Sequence, residues 1–153
     1  MGKARPPSPP PRWRITVIAL CAAIMLSAVG STTAVATSSQ EHQLHSMING
    51  ARASNGMGRL SLSDSLSRRA HRHSERMADS GSIFHSCLDC GRCRSYSTMA
   101  ENVGVGGSLG AVHDALMASS GHRANILGSS FQRVGVGVVR RGGRVWVTEL
   151  FAG

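Results

Sequence analysis

The chain has 153 residues, with 17 Lys and Arg against 8 Asp and Glu, and only 4% aromatic side chains. That length holds one compact domain with a modest core. A nucleic-acid binder needs a clustered basic face and aromatics for stacking. Here Arg52, Arg59, Arg68, Arg72, Arg94, Arg133 and Arg144 read as scattered over a solvated surface, and no nucleic-acid partner is expected.

The first segment reads as an address rather than as fold. Lys3, Arg5, Arg12 and Arg14 precede the uncharged run ITVIALCAAIMLSAV, which leads to small residues and the Ala34-Val35-Ala36 triplet. This order predicts a secretory signal over 1–36, cut after Ala36, and a single domain over 37–153. The apolar run falls short of the roughly 20 residues of a spanning helix, which argues against a retained anchor. Leu20 is too bulky before Cys21 for a lipoprotein site, and Trp13 breaks the pair that twin-arginine export requires. Contact with a membrane is therefore expected only through the export signal. The 117 residues left carry thirteen Arg, no Lys and eight acids, for a net charge of +5, which is compatible with weak attraction to an acidic envelope.

In chain order, Leu44, Met47, Ile48 and Ala51 recur at helical spacing, ending near Asn55-Gly56. After a loop through MGRLSLSDS, Ser63 caps a second helix with the stripe Leu66, Ala70, His73 and Met77 and a stop at Gly81. His73 reads as a core histidine bonded to backbone, and His71, off the stripe, as solvent-facing. From Ile83 to Val105 periodicity is weak, and GVGGSLG reads as a flexible loop. Ser108 caps a third helix that carries Leu109, Val112, Leu116 and Met117 and closes at Gly121, with His113 and Asp114 on its solvated rim. HRANIL adds a helical turn. FQRVGVGVV and RVWVTELF then alternate about a turn at Arg141-Gly142-Gly143, which is a hairpin. Helices before a terminal hairpin predict an α+β fold with helices packed on a small antiparallel sheet.

Cys21 leaves with the signal, so Cys87, Cys90 and Cys93 remain in HSCLDCGRC. An odd count in an oxidising compartment favours one disulfide within this loop and a spare thiol. Local zinc on these thiols and His85, or pairing with another chain, are the alternatives. No G-x-S-x-G elbow or H-E-x-x-H helix is present. What remains are polar residues at element junctions: His85, Glu101-Asn102, and His122-Arg123. Two imidazoles and a carboxylate from distant segments suit zinc or a similar divalent ion if folding brings them together. Singly, each suits a cap or a hydrogen-bond fixture.

The order of motifs resembles the CAP superfamily, the cysteine-rich secretory, antigen 5 and pathogenesis-related proteins, in its short bacterial form. The carrying pieces are Asn49-x-x-Arg52 with Gly56 and Leu60, the Leu66/Ala70/His73/Met77 helix, His85, AENVG, SSGHRANIL, VGVGVV and RVWVTELF, together spanning Gln40 to Phe151. The resemblance implies an α-β-α sandwich with a cleft where divalent metal is often held, here by His85, Glu101 and His122. The family's second acid falls near Ser119 and its Trp near Leu116, so the fourth member is absent, and Glu149 on the last strand is the substitute the sequence offers. Arg123 and Asn125 would tie the turn to neighbouring backbone, with Asn102 beside them. The function expected is a secreted, non-enzymatic binding or interaction module whose cleft takes metal, with zinc the first candidate, and a small apolar ligand. Its partner would be an extracellular ligand or envelope component. A metal-assisted hydrolase, with His122 or Glu101 activating water, and an envelope-associated scaffold are the alternatives.

Overall fold

The computed structural model describes residues 1–2, 32–88 and 96–153, with side chains of the first helix from Ser39 onward. The expected signal at 1–36 falls largely outside these, as do Cys90, Cys93 and Arg94. Among the described residues no helix is long and apolar enough to cross a membrane.

The elements run α1 (Thr32–Ser54), β1 (Ser61–Leu62), α2 (Asp64–Ser80), β2 (Met99–Gly106), α3 (Leu109–Ala118), α4 (Ser120–Ile126), β3 (Arg133–Arg141) and β4 (Arg144–Ala152). Four strands form one sheet in the order β1-β3-β4-β2. The hairpin and β2 pair antiparallel, whereas the two-residue β1 lies parallel to β3, so the sheet is mixed rather than wholly antiparallel. The α2 helix covers one face; α1, α3 and α4 cover the other. The α+β sandwich expected from the sequence is the fold.

Period-two alternation divides the core between these layers. Val134, Val136 and Val138 of β3, with Val145, Val147 and Phe151 of β4, pack on Leu44 and Ile48 of α1, Val112 and Leu116 of α3, and Ile126 of α4. On the other face Leu150 and Ala152 meet Leu66 and Ala70 of α2, while Trp146 and Val103 meet Met77 and Ala78. The helix sits directly on bare backbone of β3. A Cβ on Gly137 would lie 2.2 Å from the His71 amide nitrogen, and one on Gly135 would lie 2.2 Å from Leu66 Cβ. Gly142 and Gly143, both at positive φ (59° and 70°), make the tight hairpin turn.

Two boundaries differ from expectation. The segment MAENVGVG is strand β2 rather than loop, laddered to β4 from Met99↔Ala152 to Gly106↔Val145. Its glycines hide it: a Cβ on Gly104 would lie 2.7 Å from Val112 Cγ1, and one on Gly106 2.9 Å from Val112 Cγ2. Close approach of α3 forbids the β-branched residues that announce a strand. The third helix stops at Ala118, short of Gly121, because Ser119 adopts an extended conformation (φ −84°, ψ 124°) and opens α4. The α2 boundaries match expectation, with Ser63 at the N-cap position and Gly81 at φ 67° closing the helix by an N–H to Met77 O. Ser63 makes no side-chain cap bond. Ser108 does cap α3, accepting from the Ala111 N–H at 3.2 Å.

Candidate functional site

The site is built around the head of β2, where neighbouring residues face opposite layers. Glu101 lies opposite Leu150 and turns to the α2 side; Asn102 lies opposite Glu149 and turns to the α3/α4 side. Each organises its own hydrogen-bonded group.

On the α2 side, the Glu101 side chain is 2% exposed and pairs with the 62% exposed side chain of His85, Nδ1 to Oε1, at 2.9 Å. The Ser86 N–H donates to the same oxygen at 2.7 Å, and the Ser86 hydroxyl donates to Oε2. A carboxylate only accepts, so Nδ1 is the donor of this bond and Nε2 is the ring nitrogen not engaged by Glu101. The loop that delivers His85 is fixed from α2. His73, 1% exposed, donates from Nε2 to Phe84 O at 2.7 Å, accepts at Nδ1 from Arg76 at 2.9 Å, and meets the Phe84 ring edge-on at 5.1 Å. His73 is thus the backbone-bonded core histidine expected. His71 differs from expectation: it is half-buried and bonds Glu41 of α1 at 2.7 Å, with Glu75 at 3.7 Å.

On the other side, Asn102 is a three-way joint. Its amide donates to His122 O at 3.0 Å and to Glu149 Oε2 at 2.9 Å, while its Oδ1 accepts from Asn125 at 2.9 Å. These bonds dock α4 on the sheet. Glu149 is completely buried, and burial pushes its carboxyl from the ordinary 4.5 up to about 7, with the Asn102 N–H pulling weakly the other way. Its Oε1 has no hydrogen-bond partner among the described residues.

Arg123 and Asn125 reach side chains, Asn55 and Asn102, rather than the backbone expected of them. The backbone task belongs instead to Arg52. Only 2% exposed, it donates to Gly58 O at 2.6 Å, Ile126 O at 2.8 Å and Gly128 O at 2.9 Å, so it closes the C-terminal end of α4. Its placement among scattered surface arginines is overturned. Its position on the buried stripe, one residue beyond Ala51, was the available signal. His113, read as solvated, is buried, and burial chiefly holds its imidazole below the ordinary value.

The fold therefore brings His85 to Glu101, and Asn102 to Asn125, Glu149 and the backbone of His122. The His122 imidazole is half-buried and makes no hydrogen bond or ion pair among the described residues. Ser119 is half-buried at the α3–α4 corner, where its carbonyl accepts from the Arg123 N–H at 2.8 Å. Among the described residues, no three of His, Cys, Asp and Glu stand as a group able to hold a metal ion.

Comparison with known proteins agrees with this architecture. Residues 45–151 match the cysteine-rich secretory protein family. The uncharacterised protein YkwD of Bacillus subtilis is 33% identical over 125 residues, covering 76% of this chain and 48% of its own length. The chain thus spans about half of that curated relative. An extracellular, SCP-domain-containing protein of Bacillus anthracis superposes with a TM-score of 0.65 at 22% identity, over 76% of this chain and 41% of that one. An outer surface protein of Borrelia burgdorferi superposes with a TM-score of 0.67 at 17% identity, over 74% of this chain and 92% of that one. With the motif order, the sandwich and these matches in agreement, the chain belongs to the cysteine-rich secretory protein (CAP) family.

Proposed function

We propose that this chain is an exported, non-enzymatic binding module whose ligand-facing group is the His85 imidazole, with a divalent ion as one of its ligands. The observation that carries this reading is the His85–Glu101 pair: a buried carboxylate fixes the ring through Nδ1 and leaves Nε2 on the exposed side. Carboxylate-to-imidazole bonding of this kind orients histidine ligands and raises their basicity toward metals. Glu101 itself is occupied by Ser86 and His85, so it serves as the holder of a ligand rather than as a ligand. The nitrogen donors then reduce to the imidazoles of His85 and His122, which belong to separate hydrogen-bonded groups on the two sides of β2, so each stands singly as a weak zinc ligand. Bound there, zinc would supply a positive centre for an oxygen of the partner. Export is supported by the basic-apolar-small order of 1–36 and by the extracellular and outer-surface descriptions of the structural neighbours. An oxidised Cys87 supports a disulfide inside the 87–93 loop. The hydrolase alternative draws less support, since the Glu101 side chain is 2% exposed and already accepts from His85 and twice from Ser86.

The test is calorimetric titration of the purified protein with zinc, beside His85→Ala, His122→Ala and their double variant. Saturable binding lost in the double variant is expected. Glu101→Gln should weaken it by about 10- to 100-fold, as removal of a supporting carboxylate does. Wild type binding zinc no better than the double variant ends the metal reading. Turnover of an ester or peptide panel that disappears in Glu101→Gln would replace the non-enzymatic reading.

A further inference from the structure

We propose that α2 and the loop following it form a docking surface for an anionic lipid bilayer. This contact is additional to any made by the export signal and independent of the metal reading. Arg68, Arg72 and Arg76 recur at i, i+4 and i+8, and all three are exposed. The arginines are therefore not evenly dispersed: four of them, with the half-buried Arg69, belong to one helix. Like charges at this spacing weaken a helix, so local stability gives no reason for the stripe. Of the nearby acids, Glu41 is bonded to His71, and Asp64, which lines the same hollow as Arg68 and Arg72, forms no ion pair with either among the described residues. Glu75 is turned to His71 and Asp79 is paired with Arg141, and none of the three stripe arginines forms an ion pair among the described residues.

The stripe leads to an apolar tip. Ile83 and Phe84 are 48% and 40% exposed, whereas, among the described residues, every other large hydrophobic except the terminal Met1 is withdrawn from solvent. The two features are mechanically joined. Arg76 bonds His73, and His73 bonds Phe84 O and stacks edge-on against its ring. The tip is thus held out rather than left to collapse onto the core.

Guanidinium groups fit lipid phosphates, and a short apolar pair fits the boundary between headgroups and acyl chains. A protein partner fits less well, because two apolar residues make too small a centre for a stable protein interface. The arginine stripe supplies the second signal that a short apolar anchor needs, and its attraction is to a negative surface.

The experiment uses the full chain with phosphatidylcholine vesicles and with vesicles that also contain phosphatidylglycerol. Two readouts are taken: cosedimentation, and hydrogen exchange resolved to peptides, so that contact by the N-terminal segment is scored apart. Phosphatidylglycerol vesicles should slow exchange across 81–86, and added salt should reverse the effect. Ile83→Ser and the pair Arg68→Gln/Arg72→Gln should each lose that protection and lower the cosedimented fraction by several-fold. The Ile83 side chain is exposed and carries no hydrogen-bonding group, so Ile83→Ser should leave the fold and its melting temperature unchanged. That makes the result readable where Phe84→Ser disturbs His73. Unchanged exchange across 81–86 in the presence of phosphatidylglycerol vesicles overturns the proposal. So does equal protection in wild type and Ile83→Ser, which would assign the stripe to soluble anionic polymers instead.

Discussion

Glu149 gives the sharpest test of how burial sets the energetics of this domain. Its carboxyl is fully buried on β4, accepts one bond from Asn102, and is raised from 4.5 to about 7. The unfolded chain releases this proton near 4.5; the folded protein holds it until about 7. Between those values the native state binds the extra proton, so stability falls as pH rises, by about 1.4 kcal/mol per unit. The contribution is complete below the unfolded value, lost progressively across the window, and flat above it. A separation of roughly two to three units makes the full loss about 3 kcal/mol. Glu149→Gln removes the titration while its carbonyl keeps the acceptor that Asn102 needs. Guanidinium unfolding of both proteins across this pH range isolates the group, because every other titrating residue is common to the pair. Near pH 5 we expect the two within about 1 kcal/mol of each other; near pH 8 the variant should be more stable by about 2 to 3 kcal/mol. Stability curves that run parallel across the range would show that the carboxyl is not the buried proton carrier inferred here.

Arg52→Met should cost about 3 kcal/mol or more, because three carbonyls at Gly58, Ile126 and Gly128 lose a charged donor in a buried setting; chemical denaturation measures it. Gly137→Ala should destabilise by a similar or larger amount, since the new methyl meets the backbone of Ala70 and His71, which cannot swing aside. Gly143→Ala meets no atom within 4 Å yet must hold φ near 70°, so a milder loss of about 1 kcal/mol is expected, read as a small drop in thermal midpoint. Asn102→Ala should loosen α4 while leaving α2 intact, seen as faster amide exchange confined to residues 120–127.

Sequence patterning foretold what depends on periodic apolar faces. The α1 stripe through Leu44 and Ile48, the α2 stripe through Leu66 to Met77, and the alternating hairpin are all as read. Patterning failed where close packing replaced side chains with hydrogen. Gly104 and Gly106 erase the signature of β2, although that strand carries Glu101 and Asn102. Among polar residues, local spacing could propose His85 and Glu101 but could not say that the carboxylate holds the ring from behind. That relation depends on Ser86 and on the 15-residue chain separation across which they meet. Arg52 was misplaced because a guanidinium buried for three carbonyls looks, in one dimension, like any surface cation.

The adjacency of Glu101 and Asn102 on β2 has an evolutionary corollary. Two successive residues brace two different helical storeys, so the strand acts as a phase marker for the whole sandwich. Slipping the strand by a single position would hand the acid to the α4 storey and the amide to the α2 storey, breaking both braces at once. The eight residues of β2 must therefore stay in step with both braces.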